Sequence, residues 1–469
     1  MRLFALTLLA LSLSLGATRA QDSDFGARRS RALDKGIEWL KKQQQPDGTW
    51  DYDDKPFAIA GLKHMVSGCT ALACYALLKA GVEPTDGRID KAFGAIRKAP
   101  LEQTYAVGCI LLAIEARYNW EPPFWEERRG EGTVEKGPGP RKVAPPGPDM
   151  DLAKKCVEFL VKTQRPEGSW RYEPSAGSPA QRNDASHPQY ALLGLDAAER
   201  IGIKVPKDTY AKAIDYFLKG QEASGPEVAS FSIPGADLSF AELKKVEKEL
   251  REKIRKIEAD FKGKKAGGTN KAGHTEKDEL DVVKREASEK AFKTSEKPKQ
   301  LHARGWSYQP GGDEDWKTRT TGSMTTSGLA ALLVCKGQLD GTPAFDKQRD
   351  AVNTAIRDGF AWMAANFTVE NNPGVASTVA QHHYYYMYGL ERAGMIGLVE
   401  KFGDKDWYAE GSSMFLGAQE EDGSFNARGK GTCGPVVDTC FALLFLSKGT
   451  TPIVRLPSRT ATGPGSEGK

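Results

Sequence analysis

The segment LDKGIEWLKKQQQPDGTW at residues 33–50 shows the pattern on which the whole chain is built. It begins as an amphipathic helix and stops at Pro-Asp-Gly. Its signature is Gln44 followed six residues later by Trp50, with a glycine between them. The same signature returns in LAKKCVEFLVKTQRPEGSW at 152–170 and, ending in phenylalanine, in YAEGSSMFLGAQEEDGSF at 408–425. Such self-similarity predicts a tandem repeat of helical units.

More apolar helices, rich in alanine and leucine, alternate with these amphipathic ones. They are predicted in TALACYALLKAG (70–81), YAVGCILLAIEA (105–116), HPQYALLGLDAAE (187–199), SGLAALLVCKG (327–337), HHYYYMYGLERAG (382–394) and DTCFALLFLSKG (438–449). A helix that is apolar on all sides must be buried, whereas a helix with one polar face can lie outside. The alternation therefore predicts an all-α fold, an (α/α)6 toroid of six helix-pair repeats.

The fourth repeat is interrupted, because Gln221 and its matching Trp306 are separated by a long charged stretch. Apolar residues spaced three or four apart amid lysine and glutamate predict a helical hairpin there; a solvated linker is the alternative. The predicted divisions are a signal peptide at 1–20, toroid repeats at 21–235, the charged hairpin at 236–300, the remaining repeats at 301–450 and a disordered tail at 451–469.

The N-terminus predicts export. Arg2 precedes an apolar run, and small residues lead up to Ala20, which is typical of a cleaved secretory signal. The protein is therefore expected in the periplasm, in the envelope or outside the cell. With 66 Lys and Arg against 62 Asp and Glu, the charge does not favour nucleic acid as a partner. Seven cysteines, without clustering, do not indicate a disulfide scaffold.

The Gln-x3-Gly-x-Trp signature and the six helix pairs resemble the terpenoid cyclase and protein prenyltransferase superfamily, known for its squalene-cyclase repeats. The resemblance covers nearly the whole chain after residue 20, apart from the insertions. It implies a toroid whose central cavity binds an apolar, isoprenoid-like ligand. Because this fold hosts unrelated chemistries, it leaves open whether the protein is an enzyme.

Squalene-type cyclases start their reaction with an aspartate of a D-x-D-D-T motif. The letters of Asp51-Tyr52-Asp53-Asp54 match, but they directly follow Trp50 instead of preceding an apolar helix. At the expected place, 435–439, only Asp438 and Thr439 remain. The sequence favours a binding protein with a degraded acid motif over an active terpenoid cyclase or a zinc-dependent transferase. A polysaccharide-acting (α/α)6 enzyme with a polymeric ligand is a further alternative.

Aligning the apolar helices on their Ala-Leu-Leu cores gives one column expected to face the cavity: Leu72, Ala106, His187, Ser327, His382 and Asp438. His187, His382 and Asp438 are the predicted catalytic residues. Asp438 and Cys440 together with His382, or alternatively His383, resemble the prenyltransferase zinc site, which makes zinc the candidate cofactor. The alternative is that Asp438 caps its own helix.

Aromatic residues on the apolar helices are predicted to line the cavity, with ordinary helix packing as the alternative. They are Tyr75, Tyr105, Tyr190, Tyr385 and Phe441. The expected partners are thus an apolar or polymeric ligand in the ring and a protein partner for the 236–300 hairpin.

Overall fold

The computed structural model describes residues 24–51, 65–124, 139–172, 185–264, 268–292, 300–309, 318–376, 382–426 and 434–456. The fold is all-α, as the sequence predicts. In these ranges the strands are limited to one antiparallel pair, β1 (Glu227–Ala229) and β2 (Gln300–His302). Among the described residues, no helix is both long enough and apolar enough to cross a membrane. The predicted signal peptide at 1–20 lies outside the described residues.

Fourteen helices longer than one turn are present in the described ranges. In chain order they are α1 (24–42), α2 (Val66–Lys79), α3 (Gly87–Ile96), α4 (Thr104–Tyr118), α5 (Gly147–Thr163), α6 (Ser186–Arg200), α7 (Lys207–Gly220), α8 (Phe240–Phe261), α9 (Glu276–Phe292), α10 (Gly322–Leu339), α11 (Arg349–Ala365), α12 (His383–Gly397), α13 (Trp407–Ala418) and α14 (Pro435–Leu446). Single turns lie at Pro234–Asp237 and Pro343–Asp346.

The apolar helices α2, α4, α6, α10, α12 and α14 are buried on nearly all sides, as the lack of a polar face requires. Each of them contacts the next apolar helix in the chain, and α14 contacts α2. The order of contacts therefore closes on itself.

The amphipathic helices α1, α3, α5, α7, α11 and α13 each bury one face. In α3 the buried residues are Ile89, Ala92, Phe93 and Ile96, the spacing of a single helical stripe. Helices α3, α5, α7, α11 and α13 contact apolar helices, and α1 passes so near α14 that a Cβ on Gly36 would lie 2.9 Å from the Leu443 side chain. The polar face of each amphipathic helix points away from the apolar helices.

The charged stretch between β1 and β2 contains α8 and α9, which pack against each other. The boundary predicted at residue 236 is not where the hairpin separates from the other helices, because the turn Pro234–Asp237 packs on α11 and α12. We call residues 234–244 the root of the hairpin. The buried Lys336 ammonium donates to the carbonyl oxygens of Gly235 (2.8 Å) and Leu238 (2.9 Å). The first turn of α8 therefore belongs to the helical body, and the hairpin proper begins after it.

Residues 451–456, which the sequence analysis assigned to a disordered tail, instead pack on the apolar helices. Val454 is buried, and the Lys79 ammonium donates to the Thr451 hydroxyl at 2.7 Å. Arg455 forms an ion pair with Glu121. We call residues 449–456 the C-terminal strap; the rest of the predicted tail lies outside the described residues.

Candidate ligand-binding interior

The Gln-to-Trp signature forms a structural corner. The Gln164 side-chain amide donates to the carbonyl oxygens of Gly168 (3.3 Å) and Thr209 (2.9 Å), the latter at the start of the next amphipathic helix. The buried Trp170 indole donates to the Leu160 carbonyl oxygen at 2.7 Å. The signature thus joins neighbouring repeats and leaves neither of these side-chain donors unbonded.

The same corner recurs where the sequence is interrupted and where the chain ends. Gln221 donates to the Ala355 carbonyl oxygen at 2.9 Å, and Trp306, on the far side of the hairpin, donates to Phe217 at 2.8 Å. In the last repeat, Gln419 donates to the carbonyl oxygen of Ala32 in α1 at 2.9 Å. The last signature is therefore bonded to the first helix.

Three corners also correct the register of the predicted cavity-facing column. In each, a threonine hydroxyl of an apolar helix accepts a hydrogen bond from the backbone N–H of the signature aromatic: Trp50 to Thr70 (3.1 Å), Trp306 to Thr325 (3.2 Å) and Phe425 to Thr439 (3.0 Å). These contacts make Thr439 equivalent to Thr70. Phe441, two residues further on, then takes the place in the column that the sequence alignment assigned to Asp438.

Aromatic rings from four apolar helices form a continuous chain of contacts through the interior. We call this chain the aromatic column, and in order it consists of Tyr105, Tyr190, Tyr385, Phe441 and Tyr388. Successive ring centroids lie 4.8, 6.4, 6.0 and 5.5 Å apart. Tyr105 and Tyr385 are half-buried and the other three rings are buried. Four of the five predicted lining residues therefore meet in one place.

Tyr75, the fifth predicted lining residue, lies at the strap end of the interior. Its hydroxyl donates to the Gly449 carbonyl oxygen at 3.2 Å. Burial, followed by the neighbouring Tyr388, raises the pKa of Tyr75 well above its ordinary value. Tyr75 is therefore a buried contact between α2 and the strap, next to the last ring of the aromatic column.

The predicted catalytic residues lie in different neighbourhoods. His187 is buried near the start of α6, with its ring centroid 5.0 Å from that of Tyr105 and 3.8 Å from that of Tyr172. Asp438 is buried in the first turn of α14, and after burial it is the first of the charges that raise the pKa of Tyr384. His382 precedes α12 in a left-handed conformation, with φ of 45°. His187 adjoins the aromatic column at Tyr105.

Asp438, Cys440 and His382 do not form a metal site in the structure. No group of three or more His, Cys, Asp and Glu residues within the described ranges is placed to hold a metal ion. Residues two apart on a helix project about 200° apart, so Asp438 and Cys440 point in different directions. Burial raises the pKa of the Cys440 thiol well above its ordinary value. All six cysteines in the described part of the chain are buried, free thiols.

Arg392 lies at the inner end of the aromatic column and was missed by the sequence analysis. Its guanidinium carbon is 4.2 Å from the Tyr388 ring centroid and 5.1 Å from that of Tyr190. The residue is only 1% exposed, and its Nε, Nη1 and Nη2 atoms make no hydrogen bond to any described residue. The available signal was the charged pair Glu391-Arg392 within the segment 382–394, which was predicted to form a buried helix.

Gln189 is a second buried polar side chain beside the column. Its amide nitrogen donates to the Tyr385 hydroxyl. Its Oε1 atom is buried and accepts no hydrogen bond from the described residues. The level of the column at Tyr190 and Tyr385 therefore holds a buried acceptor without a donor.

The charged residues beyond Arg392 are bonded to each other or to the strap. Glu115 lies 3.6 Å from the Lys79 ammonium and 3.2 Å from Arg200 Nε. The fully buried Glu391 carboxylate accepts hydrogen bonds from the Thr450 backbone N–H (3.0 Å) and hydroxyl (2.6 Å). Burial raises the pKa of Glu391 to about 7. The strap thus closes this end of the interior.

Side-chain chemistry defines what the interior offers a ligand. The column presents aromatic faces, which suit an apolar or ring-shaped molecule, and Arg392 adds one cation without a hydrogen-bond acceptor. Comparison of the chain with known proteins found no matching family model and no matching curated protein.

Proposed function

We propose that the chain is an exported (α/α)6 toroid of the terpenoid cyclase and prenyltransferase type that binds an apolar, isoprenoid-like ligand in its interior. The closed order of contacts among the six apolar helices supports the toroid. The repeated corner, from Gln44 to Gln419, supports the resemblance. The signal-like composition of residues 1–20 supports export.

The aromatic column is the observation that carries the ligand proposal. Rings from α4, α6, α12 and α14 follow one another from half-buried Tyr105 to buried Tyr388, so a ligand entering beside Tyr105 meets aromatic faces along its length. Each Å² of apolar surface taken from water contributes about 25 cal/mol to binding. Because the strap closes the opposite end, an apolar molecule of limited length is favoured over a polymer.

Binding is proposed rather than catalysis because the buried acids are engaged elsewhere. Glu391 accepts both of its hydrogen bonds from Thr450 in the strap. Asp438, the surviving aspartate of the cyclase-like motif, lies near Tyr384, which is not part of the aromatic column. Glu391 does lie beside Tyr388, the last ring of the column, but both of its oxygens are bonded to Thr450, which does not suit the proton donor that a cyclase needs.

Calorimetric titration of the purified protein with farnesol, an isoprenoid alcohol, tests the proposal. Tyr105→Ala should weaken binding about tenfold, because it removes a ring from the column. Tyr216→Ala is the matched control, since Tyr216 is half-buried on the amphipathic helix α7. The control should bind farnesol like the wild type. No binding by the wild type, or an equal loss in both variants, would contradict a ligand site in the column.

A further inference from the structure

We propose that Arg392 binds a carboxylate, so that the ligand of the interior is an apolar molecule carrying one carboxylate group. The inference rests on the proposed function and adds to it the chemical class of the ligand. Arg392 carries five N–H groups and is charged at every physiological pH. It is 1% exposed, and all three of its nitrogens lack a hydrogen-bond acceptor among the described residues.

A buried cation without an acceptor is rare because it loses the hydration that water provides. Tyr388 and Tyr190 offer the guanidinium their ring faces, which attract a cation but do not replace all the hydrogen bonds that its nitrogens make in water. An apolar side chain of similar length would fill the same space without that loss. An arginine at this position therefore indicates an anionic partner that comes from outside the chain.

The charges near Arg392 favour an anion with a single charge. Lys79 and Arg200 are paired with Glu115, Arg200 is also paired with Asp196, and the oxygens of Glu391 are bonded to Thr450. The Arg392 guanidinium, which carries a single positive charge, has no hydrogen-bond acceptor of good geometry among the described residues. A carboxylate brings one negative charge, and its two oxygens match two parallel N–H groups of a guanidinium. A phosphate monoester brings nearly two charges at neutral pH and would leave the excess buried.

The route to Arg392 passes Tyr385. The arginine nitrogens are covered by protein atoms, so a ligand reaches them only when a neighbouring ring moves. Tyr385 is half-buried, stacks on Tyr190 and is bonded to the Gln189 amide. Turning Tyr385 aside opens the column at the level where the buried Gln189 Oε1 also lacks a donor. Gln189 thus contacts Tyr385, whose ring stacks on Tyr190, and Arg392 lies over Tyr190.

Farnesoic acid and farnesol share an apolar body and differ in the carboxylate, so they form a matched pair of probes. At pH 7.5 the wild type should bind the acid at least about tenfold more tightly than the alcohol. In Arg392→Met this preference should vanish, while the affinity for farnesol stays within about twofold.

Equal binding of acid and alcohol by the wild type, or a preference that survives in Arg392→Met, would overturn the carboxylate inference and leave the proposed function standing. Tighter binding of farnesyl phosphate than of farnesoic acid would overturn the assignment to a carboxylate. Failure of both probes to bind would overturn both proposals.

Thermal unfolding without ligand gives an independent test. If Arg392 serves to bind a ligand anion, Arg392→Met should unfold at the same or a higher temperature than the wild type when no ligand is present. Farnesoic acid should then raise the unfolding midpoint of the wild type only. If Arg392 is needed for folding, the variant should unfold several degrees earlier or fail to fold. That result would overturn the inference.

Discussion

Buried polar side chains are found both at the corners and beside the aromatic column, but they differ in their hydrogen bonding. At the corners, the Gln164 amide and the Trp170 indole both donate to backbone carbonyls, and the same bonds recur around the molecule. Beside the column, the Arg392 nitrogens and the Gln189 Oε1 atom are also buried, and they make no hydrogen bond of good geometry to the described residues. The hydrogen bonds of these corner side chains are made without a ligand, whereas those of the buried polar groups beside the column are not.

This difference distinguishes buried polar groups that stabilise the fold from those that we propose bind a ligand. A buried polar group with all its bonds made stabilises a fold, and one without them costs free energy that selection for folding alone would remove. Substitutions at the corners should therefore destabilise the protein. Substitutions at the interior polar groups should instead change ligand binding, with little loss of stability.

The largest effect is expected at the tryptophan of a corner. Trp170→Ala removes a fully buried indole and its bond to Leu160, so the free energy of unfolding should fall by about 3 to 5 kcal/mol. Urea unfolding followed by circular dichroism measures the loss. A fall below about 1 kcal/mol would show that the corner is dispensable and would remove the contrast with Arg392.

A smaller loss is expected at the glutamines, and it tests whether the last corner matches the internal ones. Gln419→Ala and Gln164→Ala each remove two hydrogen bonds to backbone carbonyls, which should cost about 1 to 2 kcal/mol in either variant. Equal losses in urea unfolding would show that the contact between the last repeat and α1 is as firm as the internal contacts. No loss in Gln419→Ala alone would mean that the ring is open there.

The pH dependence of stability should report on Glu391. Its pKa is about 7 in the folded state, because of burial, against an ordinary value of 4.5. Between these values the folded state binds more protons than the unfolded state, so this group makes stability fall as pH rises from about 4.5 to about 7. In Glu391→Gln that contribution should be absent. Parallel stability curves for variant and wild type would contradict the shifted pKa.

The smallest effect is expected in the hairpin. Replacing residues 245–292 with a short Gly/Ser linker keeps the root, including Phe240 and the Lys336 contacts, and removes helices that mainly contact each other. The thermal midpoint should stay within a few degrees of the wild type, as expected when few contacts cross a boundary. Cutting at residue 234 instead should destabilise the protein, because that turn packs on α11 and α12.

Much of the fold could be predicted because it follows from local periodicity. The alternation of apolar and amphipathic segments, and the match of Gln221 with Trp306 across an insertion, are visible in the sequence. The aromatic residues were found because large apolar side chains on fully apolar helices must face the interior. Arg392 was missed because an isolated charged pair, Glu391-Arg392, gives no periodic signal in such a helix.

The sequence by itself determined the all-α class, the repeat and its interruption, since helix spacing and turn residues act over a few positions. Tertiary structure alone decided which side chains meet. The register of α14 against the corner at Phe425 places Phe441, and not Asp438, at the position predicted to face the cavity, and Phe441 contacts Tyr385 in the aromatic column. Thr450 of the strap donates hydrogen bonds to Glu391. A shift of one residue turns a helix by about 100°, so contacts between repeats depend on a register that only packing sets. The same packing left Arg392 buried without an acceptor.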